Sequence, residues 1–295
     1  MKISAACIRC MVDRQEDHIK DMQDEHQKSA YMKEILRIIG NSDEDATAPL
    51  LTAEVQKAYQ KYFGEAPDYS EIKHSFNQKM LAVENEIRRE IHENPHPLQC
   101  ALSFARTGNY IDYGAMTEVK DSILEALVKE AGQKKVDEQT LKMFTEELEK
   151  AKSLVYITDN CGEIVLDKLL IELIRELYPK ISVTAVVRGE PVLNDATYKD
   201  AVETGLTGIV PVVGNGTDIA GTSLKHINEE TSELIRGADV IVAKGQGNFE
   251  TLHGCGMNIY YLFLCKCDWF VKRFQMEKNG GIFVHESMLG AEFKK

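Results

Sequence analysis

Along the first 150 residues, apolar positions recur at intervals of three and four; beyond that point they gather into short unbroken runs. The first pattern belongs to amphipathic helices and the second to buried strands. Residues 12–39 read as one polar helical stretch whose apolar stripe comes late, at Met32, Ile35, Leu36 and Ile39, with Gly40-Asn41 as a stop signal. Asp68 with Glu71 has the spacing of a capping box. It opens a helix whose stripe is Phe76, Met80, Val83, Ile87 and Ile91, broken by Asn94-Pro95 and Pro97. A further helix is expected over Leu98–Arg106, ended by Thr107-Gly108. Val119, Ile123 and Leu127 mark another, and Leu141, Phe144 and Leu148 one more. Residues 1–150 are therefore expected to form a multihelical N-terminal domain.

From residue 151 onward, strand-length runs recur: 154-LVYIT-158, 181-ISVTAVV-187, 209-IVPVV-213, 239-DVIVA-243, 259-IYYLFLC-265 and 282-IFVH-285. Helical patterns lie between several of them, notably at 163–177 and 223–236. This alternation predicts an α/β three-layer domain over 151–295, with a mostly parallel, Rossmann-like sheet covered by helices on both faces. The 163–177 helix is apolar nearly all round, from Ile164 to Leu177, so it should be buried on most of its circumference.

The 295 residues are 43% hydrophobic and 28% charged, which is ordinary globular composition. A formal net charge of −12 argues against a nucleic-acid or anionic-membrane surface, both of which need a basic patch. The start, 1-MKISAACIRCM-11, lacks the long apolar run of a signal peptide, because Arg9 interrupts it. Seven cysteines, an odd number, do not suggest a disulfide framework, so the expected compartment is the reducing cytoplasm.

In open α/β sheets, ligands sit beyond the carboxyl ends of the strands. The segments that follow the first four runs are 159-DNCGE-163, 188-RGEPVLNDAT-197, 214-GNGTDIAGT-222 and 244-KGQGNFETLHG-254, all polar or Gly-rich. Neither Gly-rich segment is a dinucleotide loop. Ile219 and Glu250 stand where a third glycine belongs, and no phosphate-loop Gly-Lys-Ser/Thr occurs. Asp159, Asn160 and Asp195 instead offer the hard oxygen ligands that suit Mg²⁺ or Mn²⁺, leaving positions open for water and a substrate phosphate. Amides at the start of the 163–177 helix would face an anion placed there, and Lys244 and Asn248 add a point charge and hydrogen-bond donors. Taken singly, Asp and Asn at strand ends are turn and cap residues.

Together, 159-DNCGEIVLD-167, 188-RGEPVLNDAT-197, 244-KGQGNFETL-252 and 266-KC-267 resemble the damage-control phosphatase family, long known as domain of unknown function 89. Within it, 106-RTGNYID-112 and 7-CIRC-10 resemble the prokaryotic subgroup. The resemblance implies an all-helical N-terminal part, a three-layer α/β part and a divalent metal at the strand ends: Mn²⁺ or Mg²⁺, or Co²⁺ or Ni²⁺. It implies hydrolysis of small phosphomonoesters, such as sugar phosphates or damaged phospho-metabolites. Carried over by motif, Asp159, Asn160 and Asp195 resemble the metal ligands, with Asp159, Asp195 and Lys244 as the catalytic set. Asn160, Glu163, Arg188, Lys244, Asn248 and Lys266 are the expected substrate-binding residues.

Other residues carry more than one reading. Glu163 complements the helix dipole or relays a proton; Asp167, deeper in an apolar helix, reads as a structural hydrogen-bonding partner. Cys7 and Cys10 have the spacing of a zinc half-site or a redox pair, with Cys265 and Cys267 as the only other close pair. A non-catalytic metal- or metabolite-binding protein built on Cys7 and Cys10 is the alternative function. Cys100 and Trp269 read as core, His253 as core or surface ahead of a substrate contact, and Asn109 and Asp112 as closing the site from the helical part.

Overall fold

A computed structural model describes residues 2–64, 68–110, 131–132 and 134–290. The helical part begins with α1 (Ala5–Ile19) and α2 (Glu25–Gly40), not one stretch over 12–39. The break has a local cause: Asp24 caps α2, its carboxylate accepting from Gln27 N at 3.0 Å. Helices α3 (Ala48–Phe63), α4 (Ser70–Glu93), α5 (Pro97–Gly108) and α6 (Glu138–Leu148) follow. At the head of α4 the expected capping box is displaced: Asp68 accepts from Ser70, and Tyr69 occupies the cap position. The helix read from Val119, Ile123 and Leu127 lies outside the described residues, as does Asp112.

The second half is β1 (Ser153–Ile157), α7 (Glu163–Leu177), β2 (Ser182–Val187), α8 (Tyr198–Glu203), β3 (Val212–Gly214), α9 (Glu229–Arg236), β4 (Val240–Lys244), α10 (Gly245–Leu252), β5 (Ile259–Leu264), α11 (Asp268–Phe274) and β6 (Gly281–His285). The sheet order is β3-β2-β1-β4-β5-β6, parallel except where β6 runs antiparallel to β5. This is the three-layer α/β fold that the alternation of strands and helices predicts. Two segments differ from expectation. β3 is shorter than 209–213, because Pro211 has no N–H to pair, although its carbonyl accepts from Ala185 N. The segment after β4, read as a loop, is the helix α10.

Side chains alternate across the strands, so the sheet is buried on both faces. Leu154, Tyr156, Val183, Ala185, Val240 and Val242 pack beneath α4, α5, α6 and α7. Val155, Ile157, Val186, Ile241 and Ala243 pack beneath α9, α10 and α11. Helix α7 is enclosed between the sheet and helices α4 and α5, as its all-round apolar pattern predicts; only its last turn opens, leaving Leu177 exposed. Helices α1–α3 close around a separate core that includes Met11, Ile19, Tyr31, Ile35 and Val55. Among the described residues, no helix is long and apolar enough to cross a membrane.

Candidate active site

The chain leaves β1 toward β2 on one side, while β4 pairs with β1 on the other. A crevice therefore opens beyond the carboxyl end of β1, where strand order reverses. The tips of β1 and β2 are stitched together there by backbone hydrogen bonds. Ala196 N donates to Asp159 O at 2.7 Å, Cys161 N to Asn194 O at 2.8 Å, and Arg188 N to Ala196 O at 2.9 Å. Asn160 and Asp195 form an isolated antiparallel bridge. The three residues expected as metal ligands thus come together on adjoining tips.

Their side chains are held from several directions. Asp159 Oδ2 accepts from Asn109 Nδ2 at 2.9 Å and from Asn160 Nδ2 at 2.8 Å. The same two amides donate to Glu163 Oε2, at 3.1 and 2.9 Å. Arg188 spans the carboxylates, with Nε on Asp195 Oδ2 at 2.6 Å and Nη2 on Asp159 Oδ1 at 3.4 Å. Its Nη1 reaches Asn248 Oδ1 at 3.1 Å and Thr222 Oγ1 at 3.3 Å. Beneath them, Lys244 Nζ donates to Glu163 Oε1 at 2.6 Å, to Ala105 O at 2.9 Å and to Asp167 Oδ1. Asp167 Oδ1 also accepts from Tyr156 Oη at 2.7 Å, the structural partnership expected of it.

The charges do not balance. Four carboxylates, Asp159, Glu163, Asp167 and Asp195, face two fully enclosed cations, Arg188 and Lys244, with half-buried Lys266 nearby. Burial, reinforced by Asp195 and Glu163, holds the Asp159 carboxyl well above the usual range, against the pull of Lys266 and Arg188. Burial likewise pushes Asp167 up to about 7, with Lys244 opposing it. Burial acts to lower Lys244, but Asp167 and Glu163 outweigh it and raise the lysine above its ordinary value.

A carboxyl held this far above its usual range marks hard oxygen donors short of positive charge, the deficit that a divalent cation would make up. Asn160 turns its amide nitrogen toward Asp159 and Glu163, and among the described residues no hydrogen bond engages its Oδ1. Gly245 has φ +79°, and a Cβ there would lie 2.0 Å from Asp159 Oδ2, so the backbone of α10 starts directly against the carboxylate. Among the described residues, no group of three or more His, Cys, Asp or Glu side chains is arranged to hold a metal. Two carboxylates and one amide would instead leave part of the coordination to water and substrate, as Mg²⁺ sites do.

A family model described as the damage-control phosphatase ARMT1-like domain matches residues 3–281. The chain belongs to that family. Damage-control phosphatase PH1575 of Pyrococcus horikoshii is 30% identical over 283 residues, covering 95% of this chain and 96% of that protein. A damage-control phosphatase of Archaeoglobus fulgidus is 30% identical over 275 residues, covering 91% and 93%. The crystal structure of the P. horikoshii protein, described as a DUF89 family protein, is similar with a TM-score of 0.83 at 28% identity, covering 97% and 99% of the two chains.

Several residues carried over from the damage-control phosphatase motifs are enclosed by the protein's own groups in this structure. Lys244, expected to touch phosphate, is completely buried and its three ammonium donors all have protein acceptors. Asn248 is enclosed as well: Nδ2 donates to Thr158 O and Lys244 O, while Oδ1 accepts from Arg188 and Thr222. Glu163, expected among the substrate-binding residues, has no exposed surface in this structure and ties Lys244 to Asn109 and Asn160. Arg188 is 1% exposed and bridges the carboxylates from behind. Lys266 is the cation of the expected set that keeps a solvent-facing surface.

The amides at the start of α7, expected to face an anion, have partners within the protein. Gly162 N donates to Asn77 Oδ1 at 2.7 Å, Glu163 N to Cys161 O and Asn160 N to Glu163 Oε2, so these amides are taken. Helix α10 differs: its N-cap residue, Lys244, makes no side-chain cap hydrogen bond, and among the described residues no acceptor meets the amides of Gln246 and Gly247.

Asn109 closes the site from the helical part as expected, its Oδ1 also accepting from Leu264 N at 3.1 Å. Asn77 escaped the sequence reading. Its signal was a polar stripe at helical spacing, Lys73, Asn77, Glu84 and Arg88, running beside the apolar one on α4. His253 serves in the core, stacked on Phe249 and paired with Glu286 at 3.1 Å. Cys100 is buried, and Trp269 is partly buried with Arg273 over its ring at 4.4 Å. Cys7 and Cys10 lie on α1, Cys10 exposed, and among the described residues they join no set of ligands that could hold a metal.

Proposed function

We propose that this family member is a divalent-metal-dependent phosphatase that hydrolyses small phosphomonoesters, such as sugar phosphates or damaged phospho-metabolites. Family membership supports the phosphatase reading. The observation that carries the metal dependence is the joining of Asp159, Asn160 and Asp195 on two stitched strand tips whose buried charge is under-neutralised. Asp159, Asn160 through its Oδ1, and Asp195 would hold the ion. Mn²⁺ and Mg²⁺ are the preferred candidates, with Co²⁺ and Ni²⁺ also compatible. When bound, the ion supplies Lewis-acid stabilisation of phosphoryl charge.

The chain's own residues do the remaining work. Arg188 holds Asp159 and Asp195 in one orientation and lowers the repulsion between them. Asn109 and Asn160 donate to Asp159 Oδ2 and so keep that carboxylate an acceptor. The first amides of α10, beside Asp159, offer donors to phosphoryl oxygens, and the positive end of that helix favours their charge. Lys266 adds a cation from the tip of β5. Asp159 is 9% exposed and Asp195 4%, so a terminal phosphoryl group reaches them more readily than an internal diester.

The test is release of phosphate from a generic aryl phosphate with and without Mn²⁺. Asp159→Ala should abolish the Mn²⁺-stimulated rate, a loss of about 100-fold or more, and should abolish Mn²⁺ binding by calorimetry. Wild-type activity in that variant would sink the assignment.

A further inference from the structure

We infer that Asn77, on helix α4, is a positioning residue of the metal centre, fastening both ligand-bearing tips to one brace. The inference rests on the metal reading proposed above. Asn77 is completely buried, yet every polar atom of its side chain is used. Oδ1 accepts from Gly162 N at 2.7 Å, two residues beyond Asn160. Nδ2 donates to Asp200 Oδ1 at 3.0 Å and to Glu203 Oε2 at 2.9 Å. Chemistry fixes this orientation, because an N–H requires an acceptor and two carboxylates require donors.

Each end of that amide leads to a metal-ligand tip. Gly162 is the left-handed residue, φ +69°, that turns the Asp159-Asn160 tip into α7. Asp200 accepts from Thr197 N at 2.8 Å and from Thr197 Oγ1 at 2.7 Å, closing a capping box two residues beyond Asp195. Thr197 is also bridged to Arg188, which spans the two carboxylates. One turn earlier on α4, Lys73 pairs with Asp200 Oδ2 at 2.7 Å. Asn77 thus lies 85 residues from Gly162 and 123 from Asp200 in sequence, yet joins the turns that set where Asp159, Asn160 and Asp195 point.

A merely structural amide would tie α4 to the sheet layer and lower stability evenly. A positioning amide makes two further changes. Asn77→Ala should weaken Mn²⁺ binding about 10- to 100-fold, measured by calorimetry without substrate. In the metal-free protein, it should speed amide hydrogen exchange at least tenfold across 159–163 and 194–200, while the β1–β4 ladder stays protected. Asn77→Ser gives the same readout if the alanine variant does not fold. Lys73→Met is the comparison variant: it loosens Asp200 without touching Gly162, so exchange should rise across 194–200 alone. Wild-type exchange in both tips, a uniform rise through the sheet, or loosened tips with unchanged Mn²⁺ affinity would each overturn the inference. If the wild-type protein itself takes up no Mn²⁺, the metal reading falls, and the exchange pattern still decides whether Asn77 braces the tips.

Discussion

Lys244 and Glu163 form an ion pair at 2.6 Å in which neither side chain has any exposed surface. Lys244 also serves Asp167, so removing it strands two buried carboxylates. Breaking a buried pair from one side typically costs about 3–5 kcal/mol. Lys244→Met should lower the unfolding free energy by that amount in urea denaturation of the metal-free protein. A change below about 1 kcal/mol, the scale of an exposed pair, would show that the lysine is solvated and available to substrate.

Gly245 is constrained twice, by its φ of +79° and by Asp159 Oδ2 lying 2.0 Å from where a Cβ would stand. Gly245→Ala should cost about 1–2 kcal/mol in backbone conformation alone. The carboxylate must also move, so Mn²⁺-stimulated phosphate release should fall by about tenfold or more. Unchanged kinetics would mean that Asp159 is free to shift without consequence.

Asn109 supplies the amide that Asp159 and Glu163 share. Asn109→Asp keeps the shape and the acceptor for Leu264 N, but replaces the donor with a third carboxylate facing the other two. The expected result is a stability loss of more than about 1–3 kcal/mol, because a charged partner replaces a neutral donor in a buried site. Thermal unfolding at neutral pH measures it, and a variant as stable as wild type would contradict the buried geometry.

Asp167 gives the pH dependence a definite sign. Its folded pKa of about 7 lies above the unfolded value of about 3.9. Between those values the native state holds a proton that the unfolded chain has released, so this group's contribution to stability falls as pH rises through the window. The contribution is fully present below the unfolded pKa and lost above about 7. Asp167→Asn should flatten that slope by up to about 1.4 kcal/mol per pH unit, the value of one proton. Urea unfolding at three pH values within the window tests this, and parallel curves for the two proteins would refute it.

Much of the architecture was legible because periodicity is a property of the backbone. The switch from intervals of three and four to unbroken apolar runs located the helices and the sheet, and the all-round apolar pattern of 163–177 foretold a helix packed on several sides. Errors arose where a local signal had two meanings. Gly245 and Gly247 looked like loop glycines but stand in α10, where Gly245 brings the backbone against Asp159. Pro211 shortened a run that otherwise resembled a strand.

For the site, the sequence by itself determined that carboxylates, amides and cations stand at the carboxyl ends of the strands, since strand ends and residue types are both local facts. Which of them meets solvent was decided only by tertiary structure. Lys244, Asn248 and Glu163 are polar residues at those ends, yet α5, α7 and the neighbouring tips cover them and take up their hydrogen bonds. Asn77 shows the converse, a polar residue within a long helix that gains its role only when α4 packs on two turns far away in the chain. Burial and partners from distant segments set whether an amine or amide is left for a ligand, and neither is encoded in spacing along one element.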